Sequence, residues 1–172
     1  RVQVTDVHQQ GTQVENSNFQ QAHGAAWEYL IQYANATNTD MWINIPDLAD
    51  SNYIQQLATL ILNGNQYTAG LNSNLHVYFE QGNEDWNSST QPAIANSILA
   101  GNAGITQPQE YVAHTIANAK IFQSVFNQTG ATGRVRPVVQ WQYTTQLAIF
   151  DALQWWERSN SDKISNYIYG IG

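Results

Sequence analysis

His76-Val77-Tyr78-Phe79-Glu80-Gln81-Gly82-Asn83-Glu84-Asp85-Trp86-Asn87 joins an apolar, strand-forming run to an abrupt polar exit. The residues Leu75 to Phe79 read as a short buried strand. Two similar runs flank it in the chain. Met41-Trp42-Ile43-Asn44-Ile45 is stopped by Pro46, and Val135 to Trp141 forms a third strand. Ile164 to Ile168 reads as the last strand, and Arg1 to Val7 as a strand end running into a loop.

Helical patterns fill the intervals. Trp27, Leu30, Ile31 and Ala34 share one helical face within Ala25 to Thr37, and Ile54, Leu57, Ala58 and Ile61 share another after an Asp50 or Ser51 cap. A short helix is expected near Ala93 to Leu99. Thr106-Gln107-Pro108-Gln109 reads as a capping box with Pro at the first helical position. The helix it opens carries Val112, Ile116, Ala119 and Phe126 on one side, with Gly130 as its expected stop. Ala148 to Arg158 is the last helix. Strands alternating with helices define an α/β chain with parallel strands, whose C-terminal ends share one face. The polar stretch from Gln81 to about Gln107 is far longer than an ordinary strand-to-helix loop of roughly two to six residues, which marks it as functional.

Composition narrows the function. The chain has 172 residues, 42% hydrophobic and only 11% charged, so it has material for a core. Six basic against 13 acidic residues give a formal charge of −7, which argues against nucleic acid and anionic membranes as partners. No apolar run reaches the roughly 20 residues of a membrane span. Cysteine is absent, which excludes disulfides and thiol chemistry. His8, His23, His76 and His114 lack metal-ligand spacing, and no glycine-rich phosphate loop or Gly-x-Ser-x-Gly elbow occurs. Neither metal nor cofactor is therefore expected. Six Trp and nine Tyr offer flat faces on which sugar rings stack, although most aromatics of a globular domain serve its core.

Asn-Glu-x-Trp-Asn after a strand, within this order of elements, resembles the fourth-strand motif of the retaining (β/α)8-barrel glycosidases of clan GH-A. Gly24-Ala25-Ala26-Trp27-Glu28-Tyr29-Leu30 is similar to the helix before the third barrel strand, and Trp42-Ile43-Asn44-Ile45-Pro46 to that strand. The resemblance covers essentially the whole chain, read as strands two to six. It implies a partial TIM barrel in which residues 1–172 form one incomplete catalytic domain, truncated at both ends. A whole barrel takes about 250 residues.

The resemblance implies that Glu84 is the general acid that protonates the leaving oxygen and then the base that activates water. Such a group needs a raised pKa, which desolvation beside Trp86 would supply. Asn83 would hold the sugar 2-OH. The family usually has Pro after this Glu, where Asp85 stands here. Its nucleophile is a Glu on the seventh strand, which has no counterpart in this chain. Asp6, Glu15, Asp47 and Asp85 are further loop acids. Glu80 shares the strand parity of Glu84 and reads as a structural acid paired with Arg1 or Arg136. Four strand residues separate them by about 13 Å, too far for a retaining pair at about 5 to 5.5 Å.

Trp86 beside Glu84 is a further substrate-binding candidate, and other strand exits offer binding groups: Asn44, Trp141 as a stacking ring, Tyr169 at the end of the last strand, and His8. The expected function is hydrolysis of a polysaccharide or oligosaccharide, with the isolated chain inactive for want of a nucleophile. The substrate class and the polar, Lys-poor surface suggest an extracellular protein. Two alternatives stand beside this: a non-catalytic carbohydrate-binding relative of the same fold, and a small flavodoxin-like α/β binding domain.

Overall fold

The computed structural model describes residues 25–172. The sites expected at His8, Asp6, Glu15 and Arg1, and the strand expected at Arg1 to Val7, lie outside the described residues. Helix α1 (Trp27–Thr37) leads into strand β1 (Met41–Ile45). Helix α2 (Ser51–Asn63) follows, capped by Asp50, whose carboxylate accepts from the Tyr53 N–H. A two-residue hairpin, β2 (Gly64–Asn65) and β3 (Thr68–Ala69), precedes strand β4 (Val77–Gln81). Helices α3 (Gln91–Ala103) and α4 (Gln107–Val125), strand β5 (Val135–Val139), helix α5 (Gln146–Asn160) and strand β6 (Gly170–Ile171) complete the order.

Strands β1, β4, β5 and β6 form one parallel sheet in chain order, each new strand added at the same edge. The described residues thus form an α/β fold with a four-stranded parallel sheet and five helices. The two-strand hairpin stands apart from that sheet. A doubly wound, flavodoxin-like sheet needs a reversal of strand order. None occurs among the described residues.

The strand pattern follows from the pleat. Met41, Ile43 and Ile45 of β1, Val77 and Phe79 of β4, and Val135 of β5 point to one face and are buried. There they meet Trp27 and Ile31 of α1, Ile54, Leu57 and Ile61 of α2, and Ala119 and Phe122 of α4. Phe79 packs on Phe122 with ring centroids 4.9 Å apart. Burial of each such ring stabilises by about 2 to 3 kcal/mol. A second cluster joins Val139 to Tyr111, Ile116, Ile149, Leu153 and Trp156.

The opposite face is different in kind. It carries Trp42, Asn44, Tyr78, Glu80 and Arg136, and Trp42 remains 51% exposed. Trp42 stacks on Tyr78 at 5.6 Å with planes 8° apart, and Tyr169 meets Tyr78 edge-on at 5.6 Å. Arg136 lies over both tyrosine rings and donates to the Tyr78 hydroxyl. It does not pair with Glu80, because the Tyr78 ring and hydroxyl hold its guanidinium.

Several boundaries depart from the sequence reading: β4 is Val77–Gln81 rather than Leu75 to Phe79, β5 stops at Val139 rather than Trp141, and α5 is Gln146–Asn160 rather than Ala148 to Arg158. Ile164 to Ile168 is no strand. Its start is a single tight turn, Ile164–Asn166, opened by Glu157 Oε1 accepting from the Ile164 N–H at 2.9 Å. The strand is Gly170–Ile171, fixed by Tyr169 N–H to the Pro137 carbonyl at 2.8 Å and Gly172 N–H to the Val139 carbonyl at 2.9 Å. Helix α4 ends at Val125 rather than at Gly130, since Asn127 already takes the left-handed conformation (φ 49°). Helix α3 runs well past the expected Ala93 to Leu99, because Thr90 caps it and Gly104 closes it.

Candidate functional site

The C-terminal ends of β1 and β4 lie side by side, with Ile45 paired to Gln81. Everything distinctive about the site is built on that register. Beyond Gln81 the chain turns sharply. Gly82 (φ 59°) and Glu84 (φ 57°) both adopt left-handed backbone, so strand parity ends at Gln81 and does not carry through to Glu84. The Gly82 N–H donates to the Ile45 carbonyl at 2.8 Å, and Asn44 Nδ2 donates to the Gly82 carbonyl at 2.7 Å.

The turn that follows is tightly bonded. The Glu84 carbonyl accepts from the Asn87 N–H at 2.8 Å and from Thr90 Oγ1 at 3.2 Å. Gln107 Nε2, at the start of α4, donates to the Asp85 carbonyl at 2.7 Å and the Ala93 carbonyl at 3.0 Å. The loop is thereby tied to two helices. Asn83 and Glu84 are exposed on it, and Glu84 Oε2 accepts from Asn87 Nδ2 at 3.1 Å.

Glu84 therefore stands where a soluble substrate can reach it, but not in the desolvated pocket beside Trp86 that the sequence suggests. Trp86 is half-buried and turned edge-on to Trp141, 6.4 Å away. Trp141 is buried, with Tyr111 tilted against it at 5.5 Å, so its ring belongs to the core rather than to a stacking platform. Asn44 is half-buried, and its amide donors go to Glu80 and Gly82. Tyr169 precedes β6 instead of ending it. Its N–H bonds to Pro137, level with Phe79, about 7 Å short of the strand exits. It joins Trp42 and Tyr78, not Glu84.

Burial acts on three other acids. Glu80, on the face away from the helices, is buried and accepts from Trp42 Nε1 at 3.1 Å and Asn44 Nδ2 at 2.7 Å. Desolvation raises its carboxyl pKa against those two donors. Asp47, just after β1, and Asp85, just after β4, are 4% and 2% exposed and face each other beneath Gly82. Desolvation raises Asp47. Asp85 is pushed up to about 9, first by burial and then by the negative charge of Asp47 and, further off, of Glu80. Gln81 Nε2 donates to Asp47 Oδ1 at 3.0 Å, and Asn118 Nδ2 of α4 orients that amide through Gln81 Oε1 at 2.6 Å.

Sequence reasoning treated Asp47 and Asp85 as unrelated loop acids. Pro46-Asp47 and Glu84-Asp85 at the exits of neighbouring strands, with a glycine between them, is the signal that would have joined them. No group of three or more His, Cys, Asp or Glu arranged for a metal occurs among the described residues, nor does a helix long and apolar enough to cross a membrane.

No family model, curated protein or solved structure matches this chain. What the site can do rests on its own chemistry. It presents one accessible carboxylate and one accessible carboxamide, side by side, on an anchored turn at the C-terminal ends of parallel strands.

Proposed function

We propose that this chain is part of a (β/α)8-barrel retaining glycoside hydrolase that cleaves O-glycosidic bonds in a polysaccharide or oligosaccharide. The observation that carries the reading is the position of Asn83-Glu84. The pair leaves the C-terminal end of a parallel strand, on an anchored loop, beside the exit of the neighbouring strand. Active sites of parallel barrels form at that end.

Sheet order supports the barrel. Adding strands in chain order at one edge, with the helices on one face, is how a barrel grows. The other face carries Trp42, Tyr78 and Arg136, and no helix among the described residues packs over it. Parallel sheets are ordinarily covered on both faces, and barrel closure covers the inner one.

Glu84 would give its proton to the leaving oxygen and take one from water in the second step. Asn83 would hold the 2-OH of the sugar. The nucleophile would be a second carboxylate about 5 to 5.5 Å from Glu84 on a later strand. Catalytic groups act as a unit, so residues 1–172 without that carboxylate would bind sugar with little turnover.

The test is Glu84→Gln in the full-length protein, assayed on glycosides with good and poor leaving groups. General acid catalysis contributes about 10²- to 10⁴-fold, and most where the leaving group cannot depart unprotonated. The variant is expected to lose far more activity on alkyl or polysaccharide substrates than on nitrophenyl glycosides. Equal activity of wild type and variant on all of them removes Glu84 from this role. Tight oligosaccharide binding with no hydrolysis by the wild type would point instead to a carbohydrate-binding protein.

A further inference from the structure

We propose that Asp47 and Asp85 share a single proton in a buried carboxyl–carboxylate pair that fastens the Glu84 turn to the end of β1, making them positioning residues for the acid/base.

Three observations converge on it. First, the two carboxyls are brought together around one point by the β1–β4 register and by the absence of a side chain at position 82. A Cβ built on Gly82 would fall 2.1 Å from Asp85 Oδ1 and 2.7 and 2.8 Å from the two Asp47 oxygens, so both carboxyls press on the space this glycine leaves. Second, Asp47 Oδ2 and both Asp85 oxygens are buried and complete no well-formed hydrogen bond among the described residues, the Asn83 backbone N–H being the one backbone donor that approaches Asp85 from the turn. Two adjacent buried carboxylates with three of their four oxygens unpartnered are strongly unfavourable, whereas one proton between them supplies a donor and cancels a charge. Third, no Lys, Arg or His among the described residues pairs with either acid. Among the described residues, the titratable groups facing the pair are Glu80 of β4 and Tyr111 of α4, and neither brings a positive charge. The other close partner is neutral, Gln81 held by Asn118.

Asp85 directly follows Glu84, so fixing its side chain fixes the direction in which Glu84 leaves the turn. The catalytic meaning of that rests on the glycosidase reading above. The shared proton does not. The pair retains its proton through neutral pH, in keeping with an Asp85 pKa near 9. An unfolded Asp gives up its proton near 3.8. Between those values the folded protein holds one more proton than the unfolded chain. Its folding equilibrium constant should then fall by close to tenfold for each rise of one pH unit, levelling off above the folded pKa.

The experiment is urea unfolding of the full-length wild type, Asp85→Asn and Asp47→Asn from about pH 5 to 9, with hydrogen exchange of residues 83–87 alongside. An asparagine amide donates permanently where the shared proton stood. Both variants are expected to lose most of the pH slope, to match or exceed wild-type stability at pH 8, and to keep the turn protected. Asp47→Ala, lacking the partner, is expected to lose protection there by tenfold or more. If Asp47→Ala does not fold, the wild-type and Asp85→Asn slopes still decide.

Equal slopes in wild type and variants overturn the proposal. So does a wild-type midpoint raised by calcium or magnesium chloride while Asp85→Asn does not respond, since a cation would then occupy the pair. Absence of hydrolysis by the wild type defeats the glycosidase reading and leaves these unfolding results untouched. With hydrolysis established, Asp47→Ala should lower kcat more than it raises KM, and Asp85→Asn should retain kcat at pH 8.

Discussion

Asn44 Nδ2 donates to Glu80 Oε1 at 2.7 Å, so a β1 side chain carries the buried acid of the adjacent strand. The same amide nitrogen reaches the Gly82 carbonyl. One residue thereby secures both the Trp42–Tyr78 face of the sheet and the turn that presents Asn83 and Glu84.

Removing that amide should be costly for its size. Asn44→Ala leaves Glu80 with Trp42 Nε1 as its remaining donor among the described residues and frees the Gly82 carbonyl. A loss of about 1 to 3 kcal/mol is expected, read as a lower urea midpoint with an unchanged slope. A change below a few tenths would mean that water replaces the amide at no cost.

Glu80 has its own pH signature. Burial raises its folded pKa above the ordinary 4.5, so the folded state holds the proton more tightly than the unfolded chain. The stability tied to that proton is complete below about pH 4.5 and declines as pH rises through the folded value. Glu80→Gln keeps an oxygen for both donors and removes the charge. It should be at least as stable as wild type at pH 7 and should flatten the decline above pH 4.5. A variant less stable at every pH would show that the charge, not the oxygen, matters to Trp42 and Asn44.

Gly82 and Gly104 make a matched pair. Both have positive φ, 59° and 69°, but a Cβ on Gly104 meets nothing within 4 Å, while one on Gly82 strikes the Asp47 and Asp85 carboxyls. Each Gly→Ala change should cost about 1 to 2 kcal/mol for backbone alone. The extra loss in Gly82→Ala, expected to exceed 1 kcal/mol on the order-of-magnitude scale of overpacked sites, measures how tightly the acids fill that space. Equal Tm shifts would show that they move aside freely.

Trp42 tests barrel closure. Half-exposed on an open sheet face, it should lose little on truncation. Inside a closed barrel, Trp42→Ala should cost about 3 to 5 kcal/mol in the full-length protein, as for other buried large-to-small changes. A loss below about 1 kcal/mol leaves the face open to solvent and the barrel without support.

The parts of the fold set by local pattern were legible. Apolar runs marked β1, stopped by Pro46, and β4, although β4 runs Val77–Gln81 and not Leu75 to Phe79, and Thr106 with Gln109 announces α4, where Gln109 Oε1 does accept from the Thr106 N–H at 2.8 Å. Ile164 to Ile168 misled because a five-residue apolar run suits a strand and a helical turn equally. The Glu157 carboxylate, seven residues back, decided between them. Charge alone offers Arg1 or Arg136 to Glu80, but the neighbour of Arg136 across the strand is the Tyr78 ring. The Asp47–Asp85 pair depends on a register between strands 36 residues apart, Ile45 against Gln81, which no local pattern carries. Glu84 was found by motif, while its exposure follows from a turn whose backbone angles the sequence does not announce.

That turn also sets a conflict between durability and chemistry. Glu84 holds φ 57°, where a side chain with a Cβ is strained by about 1 kcal/mol and glycine is not. A lineage drifting under pressure for thermal robustness alone would replace it with glycine and gain. On the proposed glycosidase reading, a glutamate there is a standing loss of stability offset by the acid/base work of its carboxylate. Laboratory evolution of this protein for heat resistance, without an activity screen, should therefore discard Glu84 early.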